Sequence, residues 1–337
     1  MPASGNSVVP SFTVVGALDE FPQALFGGVV AIGNFDGVHR GHRAVLNAAL
    51  DQAKQNTRPA YIMTFEPHPR TVFRPEHPVF RLTPPNAKAD LLHALGFAGM
   101  LVVPFNRDFA SITAQDFVQK ILCAQLGISH AVIGYDFHFG KARQGTPNYL
   151  EEAGGREGFG VSIVQPFEDE NAEIVSSSRI REALSAGDII LANSLLGYRW
   201  FVDGTVQHGE KRGREMGFPT ANLTLPPECR LRHGIYAVRT YVAGKRYDGV
   251  ASYGRRPTFD NGTPLLEVFI FDFSDDIYGQ PIRISFASHL RPELKFDDVP
   301  SLIEQMNRDS AEARAILDSL KPLSDIDVHL DEQMSSY

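Results

Sequence analysis

The 337-residue chain reads as two folds in succession: a doubly wound parallel α/β sheet, then an antiparallel β-barrel with a terminal helix. Three observations carry that reading. In the first half, short apolar runs rich in β-branched residues (29–32, 60–65, 100–103, 131–134 and 161–164) alternate with segments of helical periodicity, as in a buried parallel sheet. In the second half, from Trp200-Phe201-Val202 to about residue 290, strand-like runs (236–242, 246–252, 265–271 and 282–286) follow one another without helices, as in an antiparallel barrel. Helical periodicity fades at Leu196-Gly197, which sets expected domains of 1–197 and 198–337.

Taken in order, Val45, Leu46, Ala49, Leu50 and Ala53 follow the first run at the spacing of a helix laid on a core. The connection is Gly33-Asn34-Phe35-Asp36-Gly37-Val38-His39-Arg40-Gly41-His42, so the order is strand, glycine-rich turn, helix. After the second run comes a loop to Pro85 with six prolines (67, 69, 75, 78, 84 and 85), where Phe65, Phe73 and Phe80 offer planar faces. A long aperiodic loop of this kind is either plain surface or a ligand lid. Thr83-Pro84-Pro85 starts a helix, with Thr83 as cap and proline in the first turn, that runs to Gly96. Thr113 with Asp116 resembles a capping box for a helix ending before Gly127. In the second half Ala243-Gly244 reads as a hairpin turn, and residues from Asp298 form a helix with Leu302, Ile303 and Met306 inward.

Composition narrows the function. Apolar content of 43% and charged content of 21% are those of a soluble globular protein. A net charge of −8 argues against broad binding to a nucleic-acid backbone. Cys123 and Cys229 lie far apart and in different expected domains, which speaks against a disulfide framework or zinc site. The N-terminus lacks the pattern of a signal peptide, and no apolar run approaches the roughly 20 residues that span a bilayer. The cytoplasm is the expected compartment.

Chemistry concentrates in a few stretches. The 33–42 turn sits at a strand's carboxyl end, where open α/β sheets bind ligands and a helix N-terminus attracts phosphate. His39 and His42, three apart, share one side of the helix turn and could donate to charge on transferring phosphate oxygens. The same residues also suit a tight connection with surface histidines. Gly134-Tyr135-Asp136-Phe137-His138-Phe139-Gly140-Lys141 again follows a strand on the ligand side. Val175-Ser176-Ser177-Ser178-Arg179-Ile180-Arg181 opens a helix; its serines are caps, or hydroxyls on a polyphosphate that Arg181 neutralises. In the second half, residues 209–222 form a glycine-rich basic loop, read as a phosphate clamp or a hairpin loop. Thr220 and Asn222, two apart in an extended segment, turn their oxygens the same way, which suits magnesium. Glu267 shares a strand face with Leu265, Phe269 and Phe271, either as a salt-bridged glutamate or as a base for a substrate hydroxyl. No P-loop or protein-kinase signature occurs.

Several of these stretches resemble one family. Gly-x-Phe-Asp-Gly-x-His-x-Gly-His resembles the signature of the nucleotidyltransferase superfamily, in the form found in the FMN adenylyltransferase half of bacterial bifunctional riboflavin kinase/FAD synthetases. The 134–140 segment is similar to that family's Gly-x-Asp-Phe-x-Phe-Gly motif. The 175–181 segment is similar to its Ile-Ser-Ser-Thr-x-x-Arg motif, with Val175 and Ser178 in place of Ile and Thr. Residues 213–222 resemble the riboflavin kinase signature. The likeness continues through 249–258, where Ser252 stands for a frequent Asn, then Glu267, Tyr278-Gly279 and 290–293. It spans roughly residues 12 to 310.

The resemblance implies a nucleotidyltransferase-like, Rossmann-like sheet and a riboflavin kinase-like barrel. It implies catalytic roles for His39, His42, Arg181 and Glu267. Substrate or nucleotide binding would fall to Gly33, Phe35, Asp36, Gly37, Phe65, Asp136, Ser177, Ser178, Gly209, Gly213, Arg214, Gly217, Pro219 and Arg291, and magnesium to Thr220 and Asn222. ATP with Mg²⁺, riboflavin and FMN would be the partners, flavins being substrates and products, with FAD-requiring apoproteins as recipients. The expected activity is phosphorylation of riboflavin to FMN and adenylylation of FMN to FAD. The alternatives are a monofunctional riboflavin kinase with a nucleotide-binding scaffold, or a non-enzymatic flavin-binding module.

Overall fold

The computed structural model describes residues 12–209, 216–255 and 264–334. The chain divides into two compact units: residues up to Val79 with Thr83–Val175, and Phe80–Leu82 with the chain from Ser176 onward.

The first unit is built on six parallel strands: β1 (Thr13–Val15), β2 (Val29–Ile32), β3 (Ala60–Glu66), β4 (Gly99–Pro104), β5 (His130–Gly134) and β6 (Gly160–Val164). Their spatial order is β1-β4-β3-β2-β5-β6. The chain runs outward from β2 through β3 to β4, then returns to β5 on the other side of β2. That reversal opens a crevice at the carboxyl ends of β2 and β5. All four residues of β2 are buried, as a strand covered on both faces requires. Around the sheet lie α1 (Arg40–Gln55), α2 (Pro69–Phe73), α3 (Pro85–Ala94), α4 (Arg107–Ala110), α5 (Ala114–Asp116) and α6 (Pro147–Glu157).

Several expectations for this unit are corrected. The proline-rich loop contains α2, because Pro69 suits a first helical turn and His68 Nδ1 accepts the Arg70 N–H (3.1 Å). Thr113 does accept the Asp116 N–H (3.0 Å), but the helix then widens into a π-helix over Phe117–Gln125. That winding still buries Phe117, Val118, Ile121 and Leu122, so apolar spacing alone does not reveal it. β1 was not expected: it is three residues long and only Val15 in it is buried.

The second unit opens with α7 (Ser177–Ala186) and α8 (Ile189–Leu196). Its strands are β7 (Phe201–Thr205), β8 (Thr220–Thr224), β9 (Gly234–Val242), β10 (Lys245–Gly254), β11 (Leu265–Ile270) and β12 (Pro281–Arg291), followed by α9 (Val299–Asp318) and α10 (Asp325–Met334). They pair antiparallel in the order β7-β12-β9-β10-β11-β8. A bridge between Gln207 and Asn222 brings the two edges together, so the barrel is nearly closed. Ala243 (φ 50°) and Gly244 (φ 71°) form the expected β9–β10 turn. α9 lies on the outer face, where Ala313 and Leu317 join Ala237, Phe271 and Ala287. Leu302, Ile303 and Met306 are only half-buried; the helix meets the barrel through its second half, at Asp309, Ala313 and Leu317.

The compact unit changes between Val175 and Ser176, ahead of the expected boundary at 197/198. Within that second unit α8 is tied to the barrel: Asn193 donates to Phe286 O (2.9 Å) and accepts from the Trp200 N–H (2.8 Å). Among the described residues no helix is long and apolar enough to cross a membrane.

Candidate active sites

The 33–42 turn leaves the carboxyl end of β2 at the crevice and enters α1. Its backbone is strained: Phe35 (φ 45°) and Val38 (φ 39°) are left-handed, as is Gly37 (φ 95°). Such conformations cost about 1–3 kcal/mol per non-glycine residue and persist only where the surroundings over-determine them. Here Thr83 N–H donates to Asp36 Oδ1 (3.0 Å), and Gly37 N–H donates to Thr83 Oγ1 (2.8 Å). Lys88, 1% exposed, donates from Nζ to Asn34 O (2.7 Å) and Thr64 Oγ1 (3.1 Å), with a Glu66 carboxylate oxygen at 3.8 Å. The Phe35 ring folds back over Gly33 and meets the His42 ring edge-on at 5.4 Å.

This geometry redistributes the expected roles. Asp36 and Phe35 are 2% and 3% exposed, so they shape the turn from within. The Gly37 N–H is engaged by Thr83. At the start of α1 the N–H groups of Arg40 and Gly41 remain as potential anion donors, since their helical partners would fall before the helix begins. Thr83 is not the cap of α3. That position is Pro84, without a side-chain cap bond, and the threonine hydroxyl goes to the turn instead.

His39 is the buried N-cap of α1; its Nδ1 accepts the His42 N–H (3.2 Å), which places the ring proton on Nε2. The two imidazoles stack with centroids 3.6 Å apart. A Cβ on Gly41 would lie 3.0 Å from Val175 O, so the glycine lets that segment pass against the first turn of α1. Arg40 is paired with Glu170 at 2.5 and 2.9 Å.

The remaining expected residues of the first half come from several elements. Phe65 belongs to the core, near Phe105 (6.0 Å) and Phe109 (5.9 Å). Phe73 is exposed, and its ring also meets Phe105 (6.0 Å), so Phe65 and Phe73 flank one aromatic side chain; Phe80 belongs to the second unit. Asp136 is exposed beyond β5. Ser177, Ser178 and Arg181 open α7 in the second unit. Ser176 takes the capping role, accepting the Arg179 N–H (3.3 Å), and Arg181 Nε donates to Phe80 O (2.7 Å).

The second site is set by strand register. Asn222 of β8 pairs with Glu267 of β11, and Glu267 pairs with Ser252 of β10. Paired residues of an antiparallel ladder project to one face. Asn222, Glu267 and Ser252 therefore form a row across three strands, with Thr220 and its partner Phe269 alongside. Leu266 and Val268, fully buried, take the opposite face. Half-buried Glu267 thus stands outside the barrel interior, on the face that α9 covers at Phe269.

Asn222 is 5% exposed; its Nδ2 reaches Thr220 O at 3.4 Å, and its Oδ1 has no hydrogen-bond partner among the described residues. A Cβ on Gly209 would lie 2.4 Å from Asn222 Nδ2, so the chain after β7 closes tightly on this amide. A buried oxygen without a donor is costly, and a hard cation satisfies it. The Thr220 hydroxyl and the Asn222 amide oxygen fit magnesium. Among the described residues no group of three His, Cys, Asp or Glu side chains could hold a metal.

Next to this row a cavity of about 420 Å³ is lined by Phe218, Phe269 and Phe271 of the barrel and by Asn307, Ser310 and Arg314 of α9. Gly217 turns the chain at its rim and Pro219 is exposed. Arg291, expected to touch substrate, forms a two-pronged pair with the buried Asp309 (2.8 and 2.6 Å) and so ties α9 to β12. Gly213 and Arg214 lie outside the described residues. The sequence reading missed the α9 lining residues. It also missed His208, stacked on Tyr278 at 4.0 Å beside Gly209.

Comparison with known proteins finds matches to both halves of the chain. The FAD synthetase family model matches residues 22–179 and the riboflavin kinase model residues 196–317. A Bacillus subtilis (strain 168) protein named bifunctional riboflavin kinase/FMN adenylyltransferase is 38% identical over 304 residues, covering 87% of this chain and 93% of its own. The chain belongs to the bifunctional riboflavin kinase/FMN adenylyltransferase family. The member of that name from Escherichia coli (strain K12) is 37% identical over 306 residues, 90% of this chain and 97% of its own. A solved Streptococcus pneumoniae structure, named as a macrolide-efflux protein, aligns with a TM-score of 0.81 at 31% identity over 90% of this chain and 98% of its own.

Proposed function

We propose that this chain carries both activities of its family. It transfers the γ-phosphoryl group of ATP to the terminal ribityl hydroxyl of riboflavin, giving FMN. It then lets an FMN phosphate oxygen attack the α-phosphorus of a second ATP; the bond to the bridging oxygen breaks, and FAD and pyrophosphate leave. Residues 198–337 do the first reaction and residues 1–197 the second. The observation that carries the reading is the row of Asn222, Glu267 and Ser252 beside an aromatic cavity, separate from the strained turn at the crevice of another sheet.

In the kinase reaction Glu267 accepts the hydroxyl proton as attack proceeds, because a primary alcohol is a poor nucleophile near neutral pH. Phe218 and Phe269 give the isoalloxazine ring its apolar faces. Gly209, Gly213, Arg214, Gly217 and Pro219 bind ATP. Thr220 and Asn222 would hold Mg²⁺, which neutralises phosphate charge when bound. In the adenylyl transfer no enzyme nucleophile is needed, since the FMN phosphate is itself the attacking group. The N–H groups of Arg40 and Gly41 and the imidazoles of His39 and His42 orient the phosphates and stabilise the developing charge. Gly33, Phe35, Asp36 and Gly37 fix the turn that presents them. Ser177, Ser178 and Arg181 keep the phosphate-binding roles implied by their motif, and Phe65 and Asp136 support the nucleotide and flavin. The cytoplasm is the compartment this reading assigns, with apoproteins that need FAD as recipients.

The test is incubation of the purified protein with riboflavin, ATP and Mg²⁺, followed by separation of the flavins. FAD is expected. FMN alone would make the chain a monofunctional kinase, and neither flavin would leave a binding module.

A further inference from the structure

We propose that Thr83 and Lys88 are positioning residues for adenylyl transfer: they hold the strained 33–42 turn in its working shape and touch neither ATP nor FMN. The inference rests on the reading of that turn as the phosphate site. Both side chains come from α3 and its approach, both are almost fully buried (2% and 1% exposed), and both bind the main chain of the turn. Thr83 closes a ring with two residues of the turn. Its N–H donates to the Asp36 carboxylate, its hydroxyl lies 3.5 Å from the same oxygen, and that hydroxyl accepts the Gly37 N–H. Lys88 holds the other end. Its ammonium donates to the Asn34 carbonyl and to Thr64 Oγ1, with Glu66 at 3.8 Å, and so joins the carboxyl ends of β2 and β3.

An ammonium so deeply buried is unfavourable unless paired and hydrogen-bonded, and an apolar residue would serve packing better. What the lysine adds is a fixed peptide plane at Asn34, directly before the left-handed Phe35. What the threonine adds is a fixed Gly37, directly before the left-handed Val38. The backbone conformation that delivers His39, Arg40, Gly41 and His42 to the crevice is thus clamped on both sides of Phe35 and Asp36. Neither residue belongs to the glycine-rich motif itself.

The experiment compares Thr83→Val, Thr83→Ser and Lys88→Met in the full-length protein, measuring kcat and KM for FAD formation from added FMN and for FMN formation from riboflavin. A misplaced reacting group costs up to about 100-fold in rate. Thr83→Val and Lys88→Met are expected to lower kcat for FAD formation about 10- to 100-fold with little change in the KM for FMN. Thr83→Ser, which keeps the hydroxyl, should return to within about twofold of wild type. FMN formation should be unchanged in all three. Folded Thr83→Val with wild-type kcat, or Thr83→Val that fails to fold, overturns the proposal in favour of a structural role alone. His42→Ala is run alongside: if it still makes FAD at the wild-type rate, the reading of the turn fails, whatever the α3 variants do.

Discussion

The two sites are built in opposite ways. On the proposed reading the working surface of the first unit is mostly main chain, a turn in unfavourable backbone angles that the buried side chains of Thr83 and Lys88 hydrogen-bond. In the barrel it would be mostly side chains, and the backbone beneath them is regular ladder. A site made of backbone can be damaged from behind, by residues outside its motif. A site made of side chains on a ladder is vulnerable mainly at the side chains themselves, because register is fixed by the buried alternate face of Leu266 and Val268.

Three substitutions or titrations put that contrast at risk. The largest effect is expected for His42→Ala, about a 100- to 1,000-fold loss of FAD formation with FMN formation intact, as for removal of a charge-stabilising donor. Separate assays of the two steps on the purified variant check it. Undiminished FAD synthesis would mean that the 33–42 turn is not the phosphate site, and the contrast would fall with it. Glu267→Gln comes next: it keeps shape and removes the proton acceptor, so kcat for FMN formation should fall about 100-fold. FAD formation from supplied FMN should continue. Loss of both activities would show that the barrel row supports more than its own reaction.

The smallest effect concerns two histidines, one in each unit. Burial lowers the His130 imidazole below its ordinary value of 6.5. Burial first, and then the charge of Arg232, lowers His289. The unfolded chain binds these protons more readily than the folded one, so stability rises with pH between the lowered folded values and 6.5. As pH falls below 6.5 that contribution is lost, and above it neither histidine changes stability. Imidazole titration by NMR should place both below the ordinary value, and added salt should raise His289 while leaving His130 in place. Equal movement of the two would remove the role of Arg232.

Much of this could be read from sequence. The runs that became β2 to β5 are apolar because their strands are buried, β6 is half-buried throughout, and the barrel strands are separated by turn residues such as Ala243-Gly244. Glu267, Thr220 and Asn222 could be assigned faces from strand alternation, and the ladder brings them onto one. The bracing residues could not be found that way. Lys88 in a helix reads as a solvated charge until the strand ends that receive it are in place. Thr83 before two prolines reads as a cap, and only tertiary contact turns its hydroxyl toward Gly37. Arg291 sits in a motif, yet its guanidinium is engaged by Asp309, a pairing 18 residues away that no local pattern announces.

The Gln207–Asn222 bridge also makes one residue answer to two demands. The Asn222 carbonyl receives the Gln207 N–H (2.9 Å) where the ends of the sheet meet, while its side chain faces the row with Glu267. The seam of the barrel and the oxygen proposed for the cation therefore belong to one residue. Opening of the seam would release Asn222 from its place beside Glu267, and on the proposed reading a magnesium–nucleotide complex held there would resist it. Substrate would then act as a stitch, and the amide of Gln207 would be the thread whose hydrogen exchange reports it.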